Sequence, residues 1–143
     1  MIEISQMTLE DFEEIKDILQ TEFDEFWKPS ILKSELENTN SKYIVAKENN
    51  IIVGFAGIIL LPDDAEITNI VTKKNERKKG IGNLLLAKII EMAKYERNNI
   101  SLEVNEKNVP AIKLYEKYGF EKVGIRKKYY NGIDNAIIMT KFF

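Results

Sequence analysis

Residues 65–95 read AEITNIVTKKNERKKGIGNLLLAKIIEMAKY, and the rest of the chain is organised around them. Ala65–Thr72 alternates and is rich in β-branched residues, which predicts a strand. Lys73, Lys74, Asn75, Glu76, Arg77, Lys78 and Lys79 offer nothing apolar to bury and predict a solvated basic loop. Gly80-Ile81-Gly82 then opens a helix whose apolar positions Leu85, Leu86, Ile89, Ile90 and Ala93 fall at helical spacing. A strand, a glycine loop and a helix start together make an anion site. Free N–H groups at the helix N-terminus point outward, the helix dipole favours negative charge, and glycine lets a phosphate approach the backbone. The pattern Arg77-x-x-Gly80-x-Gly82 is neither the nucleotide P-loop nor the dinucleotide G-x-G-x-x-G.

The remaining composition bounds the chemistry. A chain of 143 residues, 44% hydrophobic and 31% charged, is one soluble globular domain, 1–143. Its net charge of −2 argues against direct nucleic-acid binding despite the basic loop. No apolar run is long enough to cross a bilayer, and Met1-Ile2-Glu3 begins no signal peptide. With no cysteine there are no disulfides, which fits a cytoplasmic location. The absence of both His and Cys excludes a Ser-His-Asp triad, a thiol nucleophile and an ordinary zinc site, so no metal is expected. Any general base is a carboxylate, Lys, Tyr, a terminus or water.

In chain order, Ile2–Gln6 predicts a first strand. Thr8 with Asp11 makes a capping box ahead of a helix carrying Phe12, Ile15 and Leu19. Phe23, Phe26 and Trp27 form an aromatic cluster, read as core, although such a loop could also line a substrate entrance. Ser30 is a candidate cap for a second short helix through Leu36. Strands at 43–47 and 51–61 join at Asn49-Asn50, and Gly54 and Gly57 suggest a bulge or a close backbone approach. A strand at 100–105 follows the central helix. Asn108-Val109-Pro110 starts a further helix that Gly119 ends. Strands at 120–125 and 135–143 close the chain, joined through 126–134 with a turn signal at Asn131-Gly132. Hairpins alternating with single crossovers predict an α/β (mixed α+β) domain. Its sheet should be mixed and mostly antiparallel, with about seven strands and about four flanking helices.

Two residues stand out. Alternation places Ile100, Leu102 and Val104 on one strand face and Ser101, Glu103 and Asn105 on the other. Glu103 is a base if that second face borders a groove and a solvated carboxylate if it meets water. Tyr115, on the following helix, is either a proton donor or a half-buried core tyrosine.

Further motifs bear on both alternatives. Arg77-x-x-Gly80-x-Gly82 between strand and helix resembles the acetyl-CoA signature of the GNAT superfamily of N-acetyltransferases. Leu102-Glu103-Val104, Asn108, Ala111-Ile112, Leu114-Tyr115 and Gly119-Phe120 resemble its N-x-x-A-x-x-L-Y-x-x-x-G-F segment. Ile125-Arg126-x-x-Tyr129-Tyr130 and Asp134-x-Ala136-Ile137-Ile138-Met139 are similar to one branch, the bacterial ribosomal-protein-alanine N-acetyltransferases of RimI type. The resemblance covers essentially the whole chain. It implies that Glu103 accepts the proton and Tyr115 donates one. It also implies that Asn69, Ile70 and Val71, the loop Arg77, Lys78, Lys79, Gly80, Ile81 and Gly82, and Asn108 bind acetyl-CoA, the cosubstrate. The implied acceptor is a protein N-terminus, the alanine of a small-subunit ribosomal protein. An amide of the central strand, that of Val71, is the expected oxyanion donor. Two departures stand beside these matches. Thr72 replaces an aliphatic residue, and Trp27-Lys28-Pro29-Ser30 replaces Pro-Trp-Ser in the region thought to shape the acceptor entrance. A lysine side chain or small amine is the alternative acceptor. A non-catalytic RNA- or ribosome-binding module using the basic loop is the alternative of another class.

Overall fold

The computed structural model describes residues 1–25, 27–130 and 132–143. Strands β1 (Ile2–Gln6), β2 (Ser41–Glu48), β3 (Ile51–Leu60), β4 (Ala65–Thr72), β5 (Asn99–Asn105), β6 (Glu121–Tyr130) and β7 (Asp134–Phe142) form one sheet. Its order is β1-β2-β3-β4-β5-β7-β6, and only the β4–β5 pair is parallel. Among the described residues the α-helices are α1 (Leu9–Ile15), α2 (Pro29–Glu37), α3 (Ile81–Glu96) and α4 (Val109–Lys117), and Leu19, expected on the first helix, begins a separate π-helical turn, Leu19–Phe23. The expected mixed, mostly antiparallel sheet with four flanking helices is what forms. Among the described residues no helix is long and apolar enough to cross a membrane.

Local chemistry sets most boundaries. The Thr8–Asp11 capping box closes reciprocally, with Thr8 N–H donating to Asp11 Oδ2 at 2.9 Å and Asp11 N–H to Thr8 Oγ1 at 3.1 Å. Asn49 and Asn50 both take positive φ, 52° and 66°, which gives the β2–β3 hairpin the twist it needs. Helix α2 starts earlier than Ser30 suggested. Pro29 sits at its first position, where a missing N–H costs nothing, and Lys28 is the cap. The larger difference is β6, which continues to Tyr130 through residues read from the sequence as a connection. A register shift between Arg126 and Tyr130, with Lys128 at φ 53°, absorbs the irregularity. Asn131 of the expected turn lies outside the described residues.

Two cores sandwich the sheet. Leu85, Leu86, Ile89 and Ala93 of α3 pack with Ile112 of α4 on Ile100, Leu102 and Val104. On the opposite face, Phe12, Ile15 and Leu32 of α1 and α2 pack with Phe23, Tyr43 and Phe55. Phe23 is fully buried with its ring 5.9 Å from Phe55, and Trp27 packs against the same cluster, so these aromatics are core. Phe26 lies outside the described residues.

Gly57 shows how tightly that second core fits. A Cβ there would lie 2.3 Å from Cζ of Tyr43, a ring only 4% exposed. Gly57→Ala therefore drives Tyr43 out of its seat. The expected loss is about 1–3 kcal/mol, read as a lower urea midpoint at unchanged m-value. An unchanged midpoint would mean that the ring moves freely.

Candidate active site

Strands β4 and β5 pair only at Ala65↔Ile100 and Glu66↔Ser101, then part. The cause lies on the other side of β4. Gly57 opposes Asn69 and Ile58 opposes Ile67, so Thr68 has no partner on β3 and β4 bulges there. Strand β5 meanwhile stays paired with β7 along its whole length, from Asn99 to Asn105. A wedge opens between β4 and β5, floored on one face by α3 and facing the α1–α2 layer on the other.

The amides bordering the wedge follow from the β3–β4 ladder. Lys73 N–H donates to the Val53 carbonyl at 2.8 Å. Antiparallel bonds alternate, so Val71 and Asn69 turn their N–H groups to β3, while Ile70 and Thr72 turn theirs to the gap. The expectation for Val71 as oxyanion donor is corrected on this ground. Ile70 is the residue whose amide faces the opening.

Glu103 stands at the wedge on the face away from α3, since β5 alternates strictly between half-buried and buried positions. Its side chain is 19% exposed, neither core nor freely solvated, and its Oε1 lies 2.7 Å from a terminal nitrogen of Arg126. The Arg126 guanidinium also rests 4.9 Å from the centre of the Tyr129 ring. Glu66 lies close by. Burial, together with the Glu103 and Asp64 charges, pushes its carboxyl above the ordinary range, and Arg126 works against this.

At the mouth of the wedge, α3 begins without a side-chain cap. Gly80, at φ 82°, takes the cap position in a left-handed conformation, and Lys78 is also left-handed at φ 69°. A Cβ on Gly82 would meet only Thr72 Oγ1 among the described residues, at 3.9 Å, an ordinary contact distance. The basic loop is less free than its sequence suggested. Residues Lys74–Glu76 form a 3₁₀ turn, Lys79 pairs with Glu76 at 2.7 Å, and Lys73 reaches Glu22 at 3.6 Å. Arg77 donates from Nε to the Thr72 carbonyl at 3.4 Å and from Nη2 to the Phe23 carbonyl at 3.2 Å. Its side chain braces the loop against the opposite layer.

The acetyltransferase (GNAT) family model matches residues 12–120 of this chain. The chain belongs to the GNAT acetyltransferase family. A relative from Haemophilus influenzae, named a [ribosomal protein bS18]-alanine N-acetyltransferase, is 38% identical over 144 residues and covers 96% of each chain. The N-alpha-acetyltransferase RimI of Mycobacterium tuberculosis is 32% identical over 111 residues, 75% of this chain and 69% of its own. The crystal structure of the ribosomal-protein-S18-alanine N-acetyltransferase from Escherichia coli superposes with a TM-score of 0.89 at 28% identity. It spans 99% of this chain and 94% of its own.

Asn108 caps α4, its Oδ1 accepting from Ala111 N–H at 3.3 Å, and its amide NH₂ is uncommitted among the described residues. Tyr115 is half-buried on α4, its ring edge-on to Phe120 at 5.8 Å, and its hydroxyl makes no hydrogen bond among the described residues. Burial, with Tyr130 nearby, pushes its phenol above the ordinary tyrosine value. Tyr130, at the end of β6, has its ring 5.1 Å from that of Tyr129. Burial first, then the Glu103 and Tyr129 charges, raise its own hydroxyl. In the sequence, Arg126, Tyr129 and Tyr130 carry a family resemblance and no site role. Their place in the site depends on β6 running past Arg126, which no local signal announced.

Proposed function

We propose that this acetyltransferase transfers acetyl from acetyl-CoA to the N-terminal α-amine of a protein. The names of its relatives point to the alanine of ribosomal protein bS18 as acceptor. The observation that carries the proposal is the wedge, which exposes the Ile70 and Thr72 amides and sets Glu103 on the opposing strand.

Acetyl-CoA lies along the open edge of β4, with its pyrophosphate on the uncapped start of α3. That placement accounts for glycine at 82, where the protein itself does not demand one. Asn108 offers its free amide from the far side. The thioester oxygen faces the Ile70 N–H, which stabilises the oxyanion that forms. The acceptor enters from the α1–α2 face, and Glu103 takes a proton, directly or through water, as the amine attacks. The α-amine, pKa ~7.7–8.0, is largely protonated near neutrality, so this step matters most there. Arg126, 56% exposed, is free to swing into solvent as the ammonium arrives. The cations also bear on the RNA-binding alternative. Lys73, Lys79 and Arg77 are engaged within the protein, leaving a small basic surface for a polyanion.

Tyr115 donates to the departing thiolate. A thiol of pKa ~8.5 is more acidic than a phenol raised above ~10, so complete proton transfer runs uphill and the hydroxyl acts as the bond breaks. Tyr115→Phe is expected to lower kcat by about tenfold, with KM and melting temperature little changed, in single-turnover assays. A variant that melts early yet turns over like wild type would make Tyr115 a core residue only.

Acetyl-CoA turnover over a panel of short peptides tests the function itself. Peptides with a free N-terminal alanine should be acetylated. The same peptides blocked at the α-amine but carrying lysine should not. The reverse preference would overturn the α-amine reading.

A further inference from the structure

Asn69 is 9% exposed, and its Oδ1 is buried with no hydrogen-bond partner among the described residues. Its Nδ2 donates to the Tyr43 hydroxyl at 3.0 Å, and that hydroxyl lies 3.0 Å from Thr68 Oγ1. A chain of bonds from Asn69 through Tyr43 to Thr68 thus fixes the amide plane and leaves Oδ1 as the end that nothing satisfies. Tyr43 is itself pinned against Gly57, so the amide cannot turn by moving its anchor. A buried acceptor without a partner is costly, and a structural asparagine serving Tyr43 alone would not need one.

The register shows what lies across from it. Extending the parallel pairing by two residues beyond Glu66↔Ser101 sets Glu103 opposite Thr68, and the bulge at Thr68 brings Asn69 to that level. Both side chains stand on the sheet face away from α3. Asn69 approaches Tyr43 in the α1–α2 core, while Glu103 alternates against Leu102 and Val104 of the other core. The two groups therefore border the wedge from its two sides, one an amide oxygen and one a carboxylate.

A neutral primary amine has one lone pair and two N–H bonds. With the lone pair aimed at the thioester carbonyl and one N–H aimed at Glu103, the second N–H leaves bulk water and needs an acceptor of its own. We propose that Asn69 Oδ1 is that acceptor, so that Asn69 binds the attacking amine and restricts the enzyme to primary amines. This inference rests on the α-amine reading above. It separates two uses of one residue, the backbone of Asn69 lying along acetyl-CoA and its side chain serving the acceptor.

The test compares wild type, Asn69→Ala and Asn69→Asp on a peptide beginning with alanine and on the same peptide beginning with N-methylalanine. The thermal shift given by acetyl-CoA reports folding of each variant. Asn69→Ala is expected to lose about 10–100-fold in kcat/KM for the alanine peptide with its acetyl-CoA shift intact. Asn69→Asp keeps an acceptor oxygen and should recover at least tenfold of that loss. Wild type should disfavour the N-methyl peptide by tenfold or more, and Asn69→Ala should lose most of this discrimination. A folded Asn69→Ala with wild-type kcat/KM, or with unchanged discrimination, overturns the proposal, as does Asn69→Asp no better than Asn69→Ala. If Asn69→Ala does not fold, wild type decides, because equal rates on the two peptides also overturn it. Wild type inert toward every α-amine, yet stabilised by acetyl-CoA, removes the α-amine reading and this inference with it. A failure confined to the variants removes the inference alone.

Discussion

Glu103→Gln lowers kcat at pH 7 by about 10²–10⁴-fold on an N-terminal alanine peptide, the range typical of removing a positioned base. Gln keeps the size of the side chain and can still accept a hydrogen bond, but it cannot take a proton from the amine. Arg126 loses its charge partner, yet being 56% exposed it stays solvated, so the fold should tolerate the change. Acetyl-CoA affinity should be unaltered, because Glu103 is on β5, across the wedge from the β4 edge proposed to hold acetyl-CoA. The pH dependence separates a base from a bystander. With an amine pKa of ~7.8, the free amine rises from about one seventh of the total at pH 7 to above nine tenths at pH 9. The variant relies on solvent to deprotonate its substrate, so its rate should climb roughly sevenfold over that interval and close part of the gap to wild type. Single-turnover rates at the two pH values, with a thermal shift for ligand affinity, measure both effects. Full activity of Glu103→Gln at pH 7 would falsify the base assignment and leave Glu103 an ion-paired strand carboxylate.

Gly82→Val removes the stabilisation that acetyl-CoA gives the fold. A ligand bound only by the native state adds RT ln(1 + [L]/Kd), about 2.7 kcal/mol at a hundredfold excess over Kd. The valine side chain would occupy the space at the helix start that the proposed pyrophosphate site requires. The apo protein should not suffer. Glycine in a helix costs about 0.8–1.0 kcal/mol against alanine and valine less, and the new Cβ meets only Thr72 Oγ1 at 3.9 Å. The expected result is therefore an apo melting temperature equal to or above that of wild type, with the acetyl-CoA shift gone. A shift of wild-type size in Gly82→Val would move the pyrophosphate away from this loop.

Local chemistry was enough for much of this protein. The stretch 65–95 gave strand, loop and helix because alternation, glycine and a 3.6-residue period are properties of neighbours in sequence. The capping box at Thr8 and Asp11, the paired asparagines of the β2–β3 turn and the Asn108 cap were legible for the same reason. Resemblance extended this reading to Glu103 and Tyr115, and the strict alternation of β5 already placed Glu103 apart from the core. Tertiary structure decided the rest. Whether the second face of β5 met water or a wedge depended on Thr68 bulging against β3, an event of pairing between strands. The same ladder turned the Ile70 amide, not that of Val71, into the gap, since alternation has a phase that only a partner strand can set. The Arg77 side chain also braces the loop to the Phe23 carbonyl, fifty-four residues away, a contact that only folding brings about. Arg126 reaches Glu103, and Tyr129 reaches Arg126, because β6 runs on along β7 past its own irregularity. In each case a pattern of nearby residues fixed what a side chain could do, and the packing of distant strands fixed what it faces.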